Sequence, residues 1–166
     1  MARLVLVGLP GTGKTTLARA LGEFWSCSVI DTDEALAANV GTPAAQYLGE
    51  HGEAEFRERE LEALRDALAS DAVVATGAGI VTTSAARELI EEEFTLWLDS
   101  DDETLLLRVG EGERPLLGDD HATALKDLRQ RREPWYRSSA RARVDTSGSV
   151  DDVLKDVIQH VESFSS

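Results

Sequence analysis

The sequence predicts an α/β domain in which helices cover both faces of a parallel sheet. Two observations lead to this fold class. Short apolar runs alternate along the chain with stretches of helical periodicity, as in strands joined by helical crossovers. The first apolar run, Leu4 to Val7, continues into the segment Gly8 to Thr15, which has the form G-x-x-x-x-G-K-[ST]. A strand before this motif and a helix after it are the context of a phosphate-binding loop.

Each element of this plan has its own pattern. A first helix is predicted from Lys14 to Trp25 and a longer one from Glu53 to Ala69, because apolar side chains recur in both at helical spacing. Leu125 to Trp135 follows the same spacing, and Pro134 should kink or end that helix because proline lacks an N–H donor. The predicted strands are Leu4–Val7, Val29–Ile30, Ala72–Thr76, Phe94–Leu98 and Arg143–Val144.

Composition limits the possible functions. A chain of 166 residues fits one domain. Its 17 basic and 31 acidic residues give a formal charge of -14, which argues against binding to nucleic acid or an anionic membrane. The chain shows no signal peptide and no apolar run long enough to span a bilayer, so we expect a cytoplasmic protein. Cys27 is the only cysteine, and packing is favoured over catalysis as its role.

The phosphate-binding loop predicts contacts to ATP. Its glycines allow backbone N–H groups to face phosphate oxygens at the start of a helix, whose dipole also favours anions. Lys14 would reach the β and γ phosphates, and the Thr15 hydroxyl would bind Mg²⁺. The residues of the loop expected to bind ATP are Gly11, Thr12, Gly13, Lys14, Thr15 and Thr16.

Two carboxylates follow the second strand directly. The third strand ends without an acidic residue, so Asp31 is the expected metal-binding carboxylate, and Asp33 could accept a proton from an attacking hydroxyl. The alternative is that an aspartate here caps the next helix, which is a frequent role at such a position. Farther along, the segment from Gly110 to Asp120 lacks periodicity and is longer than a simple connection, which favours a lid.

Two arginines occupy positions that a simple amphipathic pattern does not explain. Glu60 lies on the apolar row of its helix, where it could orient Arg57 toward an anionic substrate group. A solvated ion pair in a highly charged helix is the alternative, and the pattern alone favours it. Arg132 takes a position that should be apolar, and there a functional arginine and a snorkelling arginine remain open.

Taken in order, these motifs resemble those of shikimate kinases over nearly the whole chain. The resemblance implies a single P-loop kinase domain over residues 1–166 with a five-stranded parallel sheet of order 2-3-1-4-5. It also implies a lid at about residues 110–121 and a substrate-binding helical segment at about residues 33–61. The matching motifs are Gly8 to Thr16, Asp31-x-Asp33, Phe56-Arg57-x-x-Glu60, Gly77-x-Gly79, Arg114-Pro115-Leu116-Leu117 and Arg132-x-x-x-Tyr136.

The resemblance implies that the protein transfers the γ-phosphoryl group of ATP, with Mg²⁺, to the 3-hydroxyl of shikimate in aromatic amino-acid biosynthesis. Asp33 would act as base, Arg57 and Arg132 would clamp the shikimate carboxylate, Arg108 would stack on adenine, and Arg114 would move onto the phosphates. ATP and shikimate are the expected partners of a monomeric enzyme. The implied catalytic set is Asp33, Lys14 and Arg114, and the implied substrate-binding set is Asp33, Arg57, Glu60, Ala78, Gly79 and Arg132.

Two places depart from the family pattern. Ala78 stands where the family usually carries the second of three glycines, so its N–H suits substrate only if the position does not need a glycine-only conformation. Residues 145–148 lack the arginine that some members place near adenine. The alternatives are a kinase for another small molecule, such as gluconate or a nucleoside monophosphate, and a non-catalytic nucleotide sensor.

Overall fold

The computed structural model describes residues 1–110 and 120–165. In this part of the chain, five strands form one parallel sheet in the order β2-β3-β1-β4-β5. The predicted fold class and strand order are therefore confirmed, and each strand lies within one residue of its predicted bounds. The strands are β1 (Leu4–Val7), β2 (Ser28–Asp31), β3 (Ala72–Ala75), β4 (Thr95–Asp99) and β5 (Ala142–Asp145).

Helices cover both faces of the sheet. Alternate residues of β1 point to opposite sides, so Leu4 and Leu6 pack against α1 and α8, whereas Val5 and Val7 pack against α4, α5, α6 and α7. No helix of the described residues has the length and apolar character that crossing a bilayer requires. The helices are α1 (Lys14–Trp25), α2 (Thr32–Val40), α3 (Ala44–His51), α4 (Glu53–Leu68), α5 (Ser84–Glu91), α6 (Asp102–Gly110), α7 (His121–Ser139) and α8 (Val150–Ser165), with a short 3₁₀ turn at Ile80–Thr82.

The prediction that the α7 helix ends near Pro134 is wrong. The helix continues through Pro134 to Ser139, although proline cannot donate the backbone hydrogen bond of its position. Contacts of the following turn explain the difference. The Tyr136 side chain is fully buried, its hydroxyl donates to the Ala78 carbonyl at 2.5 Å, and its ring stacks on Trp97 at a centroid distance of 6.2 Å. These contacts hold the end of α7 against the sheet despite the missing hydrogen bond.

The strand order brings three connections together at one edge of the sheet. β3 pairs with both β1 and β2, so the carboxyl ends of these three strands are neighbours. The phosphate-binding loop follows β1, Asp31 ends β2, and Gly77 to Gly79 follow β3. Ligands of open parallel sheets bind at this edge. The topology therefore places the phosphate-binding loop, Asp31 and the segment of residues 77–79 side by side.

One helix approaches the sheet too closely for any side chain at one position. A Cβ atom on Gly22 of α1 would overlap Val29 Cγ2 and lie 3.2 Å from the Cys27 carbonyl oxygen. We expect Gly22→Ala to lower the free energy of unfolding by about 1–3 kcal/mol, because overpacking displaces α1 from β2. The measurement is urea unfolding followed by circular dichroism.

Gly49 provides the matched control for this substitution. It also lies within a helix, α3, but a Cβ atom there would meet nothing within 4 Å. Gly49→Ala should raise the free energy of unfolding by about 0.5–1 kcal/mol, the usual gain in helix propensity. Equal effects of the two substitutions would show that close packing of α1 does not govern Gly22.

Candidate active site

A cavity of about 410 Å³ opens at the carboxyl edge of the sheet. The phosphate-binding loop, the ends of β2 and β3, and Arg57 and Glu60 of α4 make much of its wall polar, whereas α3 and Phe56 of α4 contribute apolar side chains. Of the predicted site residues, Thr12 and Arg108 lie outside its wall, and Arg114 and the 111–119 part of the predicted lid lie outside the described residues. The predicted residues that line it are Gly11, Gly13, Lys14, Thr15, Thr16, Asp31, Asp33, Arg57, Glu60, Ala78, Gly79 and Arg132.

The phosphate-binding loop has the turns that its glycines allow. Gly11 and Gly13 adopt left-handed backbone angles, with φ of 85° and 87°, which disfavour any residue with a Cβ. The Lys14 ammonium crosses the loop and donates to the carbonyls of Gly8 at 2.8 Å and Leu9 at 3.0 Å. Lys14 is 8 % exposed, so its charge lies inside the loop, where phosphate oxygens would meet it.

Thr12 stabilises the phosphate-binding loop from within. Its side chain is buried, and its hydroxyl donates to the Leu9 carbonyl at 3.0 Å. The side chain is therefore part of the loop's internal structure, and Thr12 contributes to the predicted ATP site through the shape of the loop. The next two threonines differ from it, because Thr15 and Thr16 both line the cavity.

Asp31 is the helix cap that the sequence left as one alternative, and it also contacts Thr15, its partner in the predicted metal pair. Its Oδ1 accepts from the backbone N–H groups of Asp33 at 2.9 Å and Glu34 at 3.2 Å, which makes Asp31 the N-cap of α2. Its Oδ2 accepts from the Thr15 hydroxyl at 2.5 Å. One carboxylate thus starts the helix and also fixes the first residue of the predicted metal pair.

The pair of Thr15 and Asp31 suits Mg²⁺. It presents a hydroxyl and a carboxylate oxygen to the cavity, and Mg²⁺ prefers such hard ligands. In residues 1–110 and 120–165, no three His, Cys, Asp or Glu side chains cluster closely enough to form a metal site of protein ligands alone. That composition fits a metal ion held by one or two protein groups, nucleotide phosphates and water.

The segment after β3 lies too close to its neighbours for side chains at two positions. A Cβ on Gly77 would lie 2.6 Å from Asp33 Oδ1 and 3.0 Å from Glu60 Oε1. A Cβ on Gly79 would lie 2.6 Å from both terminal nitrogens of Arg57. Gly79 has φ −89°, so close contact with Arg57, rather than backbone strain, requires glycine there.

Ala78, between these glycines, does not need a glycine-only conformation. Ser26 is the only non-glycine residue with positive φ in the part of the chain that the structure describes. The Ala78 carbonyl accepts from Tyr136, which fixes the peptide that follows. The Ala78 N–H therefore meets the condition for substrate binding stated above, because this position does not need a glycine-only conformation. The alanine methyl group borders the cavity.

Arg57 and Glu60 form a buried pair beside this segment. Arg57 NH1 donates to Glu60 Oε2 at 2.8 Å, and Glu60 is 1 % exposed, so the alternative of a solvated ion pair is wrong. Burial raises the pKa of Glu60 from 4.5 to about 6, against the opposing charge of Arg57. Arg57 Nε is buried and has no hydrogen-bond partner among the described residues. This donor is therefore available for an acceptor group of a ligand.

Arg132 also borders this cavity. It lies on α7 between Leu128 and Tyr136 and lines the same wall as Arg57. Its charge opposes, but does not outweigh, the burial that raises the pKa of the Tyr136 hydroxyl above its ordinary value. Two guanidinium groups thus border one cavity, and a carboxylate between them would be bound by planar donor groups.

Arg108 lies outside the cavity wall and contacts the phosphate-binding loop. Its NH1 donates to the Gly11 carbonyl at 3.2 Å, and its NH2 donates to the Thr146 carbonyl at 2.6 Å. Arg108 thus joins the phosphate-binding loop to the segment after β5. Sequence reasoning missed Thr146, although Thr146 directly follows a strand of the parallel sheet, as Gly8 and Thr32 do.

Thr32 is a second residue that sequence reasoning missed. It is fully buried, and its hydroxyl accepts from the Gly77 N–H at 2.9 Å. The bond joins α2, which carries Asp33, to the segment after β3. The sequence signal that could have identified it is a threonine between two aspartates directly after a predicted strand.

Comparisons with known proteins agree with this geometry. A family model described as shikimate kinase matches residues 10–162. A shikimate kinase of Corynebacterium efficiens is 36% identical over 167 residues, covering 98% of this chain and 99% of its own. The solved structure of a shikimate kinase from Acinetobacter baumannii in complex with shikimate superposes with a TM-score of 0.91 at 31% identity, covering 96% of this chain and 92% of that one. A gluconokinase from Sinorhizobium meliloti shares the fold at a TM-score of 0.67 and 17% identity, over 98% of this chain and 93% of that one.

The buried Glu60 carboxyl should make stability depend on pH. Its pKa is about 6 in the folded protein and near 4.5 when unfolded, so the folded state holds the proton more tightly. Stability from this group is present at acidic pH and is lost as pH rises through that interval, by about 2 kcal/mol. The Glu60→Gln variant lacks this titrating carboxyl group and should therefore lack its contribution to the pH dependence of stability. Urea unfolding of both proteins at about pH 4 and about pH 7.5 should show the wild type losing this amount relative to the variant, and a parallel pH dependence would contradict the assignment.

Proposed function

The chain belongs to the shikimate kinase family, and from this premise we propose how its residues carry out the reaction. The protein is an ATP-dependent kinase that phosphorylates the 3-hydroxyl of shikimate to shikimate 3-phosphate. One observation carries the assignment of roles. A single cavity is lined by the phosphate-binding loop, an aspartate in the first turn of α2, and two arginines.

The nucleotide end of the cavity is proposed to bind ATP. Backbone N–H groups of residues 11–16 would surround the β and γ phosphates at the start of α1, where the helix dipole favours negative charge. Lys14 would exchange its bonds to the loop carbonyls for bonds to phosphate oxygens. Arg108, held between the loop and Thr146, would contact the adenine ring with its planar guanidinium.

Thr15 and Asp31 are the residues proposed to hold Mg²⁺. Bound there, the ion neutralises charge on the phosphate oxygens of ATP. The hydrogen bond between the two side chains supports this proposal, because it sets their oxygen atoms side by side.

The opposite end of the cavity is proposed to bind shikimate through its carboxylate. Arg57 and Arg132 would grip the two oxygen atoms, and the buried Nε of Arg57 would gain the partner it lacks among the described residues. Glu60 holds Arg57 in position and balances part of its charge, so the site attracts one carboxylate without carrying excess positive charge. Ala78 and Gly79 offer backbone N–H groups along the cavity wall.

Asp33 is the proposed base. It lies beside Gly77 and lines the cavity between the phosphate-binding loop and the two arginines. The 3-hydroxyl oxygen of shikimate would form a bond to the γ phosphorus, the bond to the bridging oxygen of ADP would break, and the hydroxyl proton would pass to the Asp33 carboxylate. In this proposal, the distance between the ATP phosphates and the arginines that hold the shikimate carboxylate selects which shikimate hydroxyl reacts.

The roles of Arg114 and of the lid remain predictions from the family resemblance, because residues 111–119 lie outside the described part of the chain. That the enzyme is a monomer stays a prediction. A cytoplasmic location is proposed because the reaction consumes ATP.

Acceptor selectivity tests the proposed function most simply. In a coupled assay of ADP formation, shikimate should stimulate turnover by at least about 100-fold over gluconate, quinate, AMP or CMP, since incorrect pairing of buried polar groups costs several kcal/mol. Gluconate or a nucleotide reacting as fast as shikimate would overturn the assignment of the acceptor site.

An Asp33→Asn variant is the control against a non-catalytic sensor. It keeps the size of the side chain beside Gly77 but cannot take up the proton. The variant should bind ATP as the wild type does and lose most shikimate-dependent ADP formation, by about 100-fold or more. Full activity of the variant would remove Asp33 from the proposed mechanism.

A further inference from the structure

A network of ion pairs surrounds one buried carboxylate at the end of β4, away from the proposed acceptor contacts. Asp99 is the last residue of β4 and is 2 % exposed. Arg129 NH1 donates to both of its carboxylate oxygens, at 3.0 and 3.1 Å, and Arg143 donates to Oδ2 at 2.9 and 3.0 Å. The Ser100 N–H donates to Oδ1 at 2.9 Å. A buried carboxylate with this many donors fixes the groups around it.

Arg129 differs from Arg143 in what it connects. Besides Asp99, Arg129 donates to Asp102 Oδ1 at 2.7 Å and to the Ser100 carbonyl at 2.8 Å. It therefore ties the middle of α7 to the end of β4 and to the first turn of α6. Arg143 reaches Asp99 from the neighbouring strand, and in the described residues its hydrogen bonds go to Asp99 alone.

The proposed substrate arginines stand on the two elements that Arg129 joins. Arg132 follows it by three residues on α7, nearly one helical turn. Arg108 lies in the last turn of α6, and its Nη1 is 3.4 Å from the Ser100 hydroxyl, which in turn is 2.7 Å from the hydroxyl of Thr146. A shift of α7 relative to the end of β4 would thus change the distance between Arg132 and Arg108.

We propose that Arg129 is a positioning residue, which sets the separation of Arg132 from Arg108 and so the fit of both substrates. This inference rests on the substrate roles proposed above for those two arginines. A guanidinium presents five donors in one plane and can hold two carboxylates and a carbonyl together. A lysine keeps the charge opposite Asp99 but cannot reproduce that geometry.

The test compares Arg129→Lys with Arg143→Lys. Both variants leave a cation beside the buried Asp99, so neither strands an unpaired charge, and both should fold. Arg129→Lys should raise the KM for shikimate about tenfold and also raise the KM for ATP, because small misplacements of binding groups are costly. Arg143→Lys should change both constants by less than about twofold, even where the two variants lose similar thermal stability.

Asp102→Ala provides a second route if Arg129→Lys fails to fold. The Asp102 side chain is 50% exposed and supplies the contact that joins Arg129 to α6, so its loss should raise the same KM values by a smaller factor. The positioning role is overturned if KM values stay unchanged in Asp102→Ala and in Arg129→Lys, provided that Arg129→Lys folds. It is also overturned if Arg143→Lys shifts the KM values as much as Arg129→Lys does. Absence of shikimate-dependent activity in the wild type would instead overturn the proposed function.

Discussion

The site depends on the close approach of charged side chains to bare backbone after β3. Gly77 leaves room for Asp33 and Glu60, and Gly79 leaves room for Arg57. With the backbone this near, the Arg57 and Glu60 pair is removed from water, so each partner depends on the other for its charge to be tolerated. That dependence holds Arg57 in place, as its proposed role in binding an anion requires.

At the end of the cavity proposed to bind ATP, one side chain also makes contacts that serve two purposes. Asp31 caps α2 with one oxygen and holds Thr15 with the other, so helix formation and the proposed metal pair share a carboxylate. Asp33, the proposed base, lies in the first turn of that helix, two residues after Asp31. The order of the parallel strands sets the remaining proximity in the site. The loop after β1 and the segment after β3 are neighbours because β1 pairs with β3, independently of their side chains.

The sequence predicted the fold well and the state of single side chains less well. Alternating apolar runs determine strands, and a P-loop at the first strand fixes the site edge. Periodicity could not decide whether Glu60 is solvated, because burial of that position depends on β3 passing next to α4. It also mistook Pro134 for a helix end, since the contacts of Tyr136 that hold the last turns are tertiary. Long-range contacts of this kind leave no local pattern.

Binding of shikimate to a Gly79→Ala variant tests the central claim most directly. Alanine accepts the backbone angles of this position, so the added methyl group should act through Arg57 alone. Calorimetric titration should show the Kd for shikimate rising by about tenfold or more, equivalent to about 1.4 kcal/mol, with the Kd for a non-hydrolysable ATP analogue unchanged. An unchanged Kd for shikimate in a folded variant would contradict the account, because Arg57 would then not need the bare backbone of Gly79.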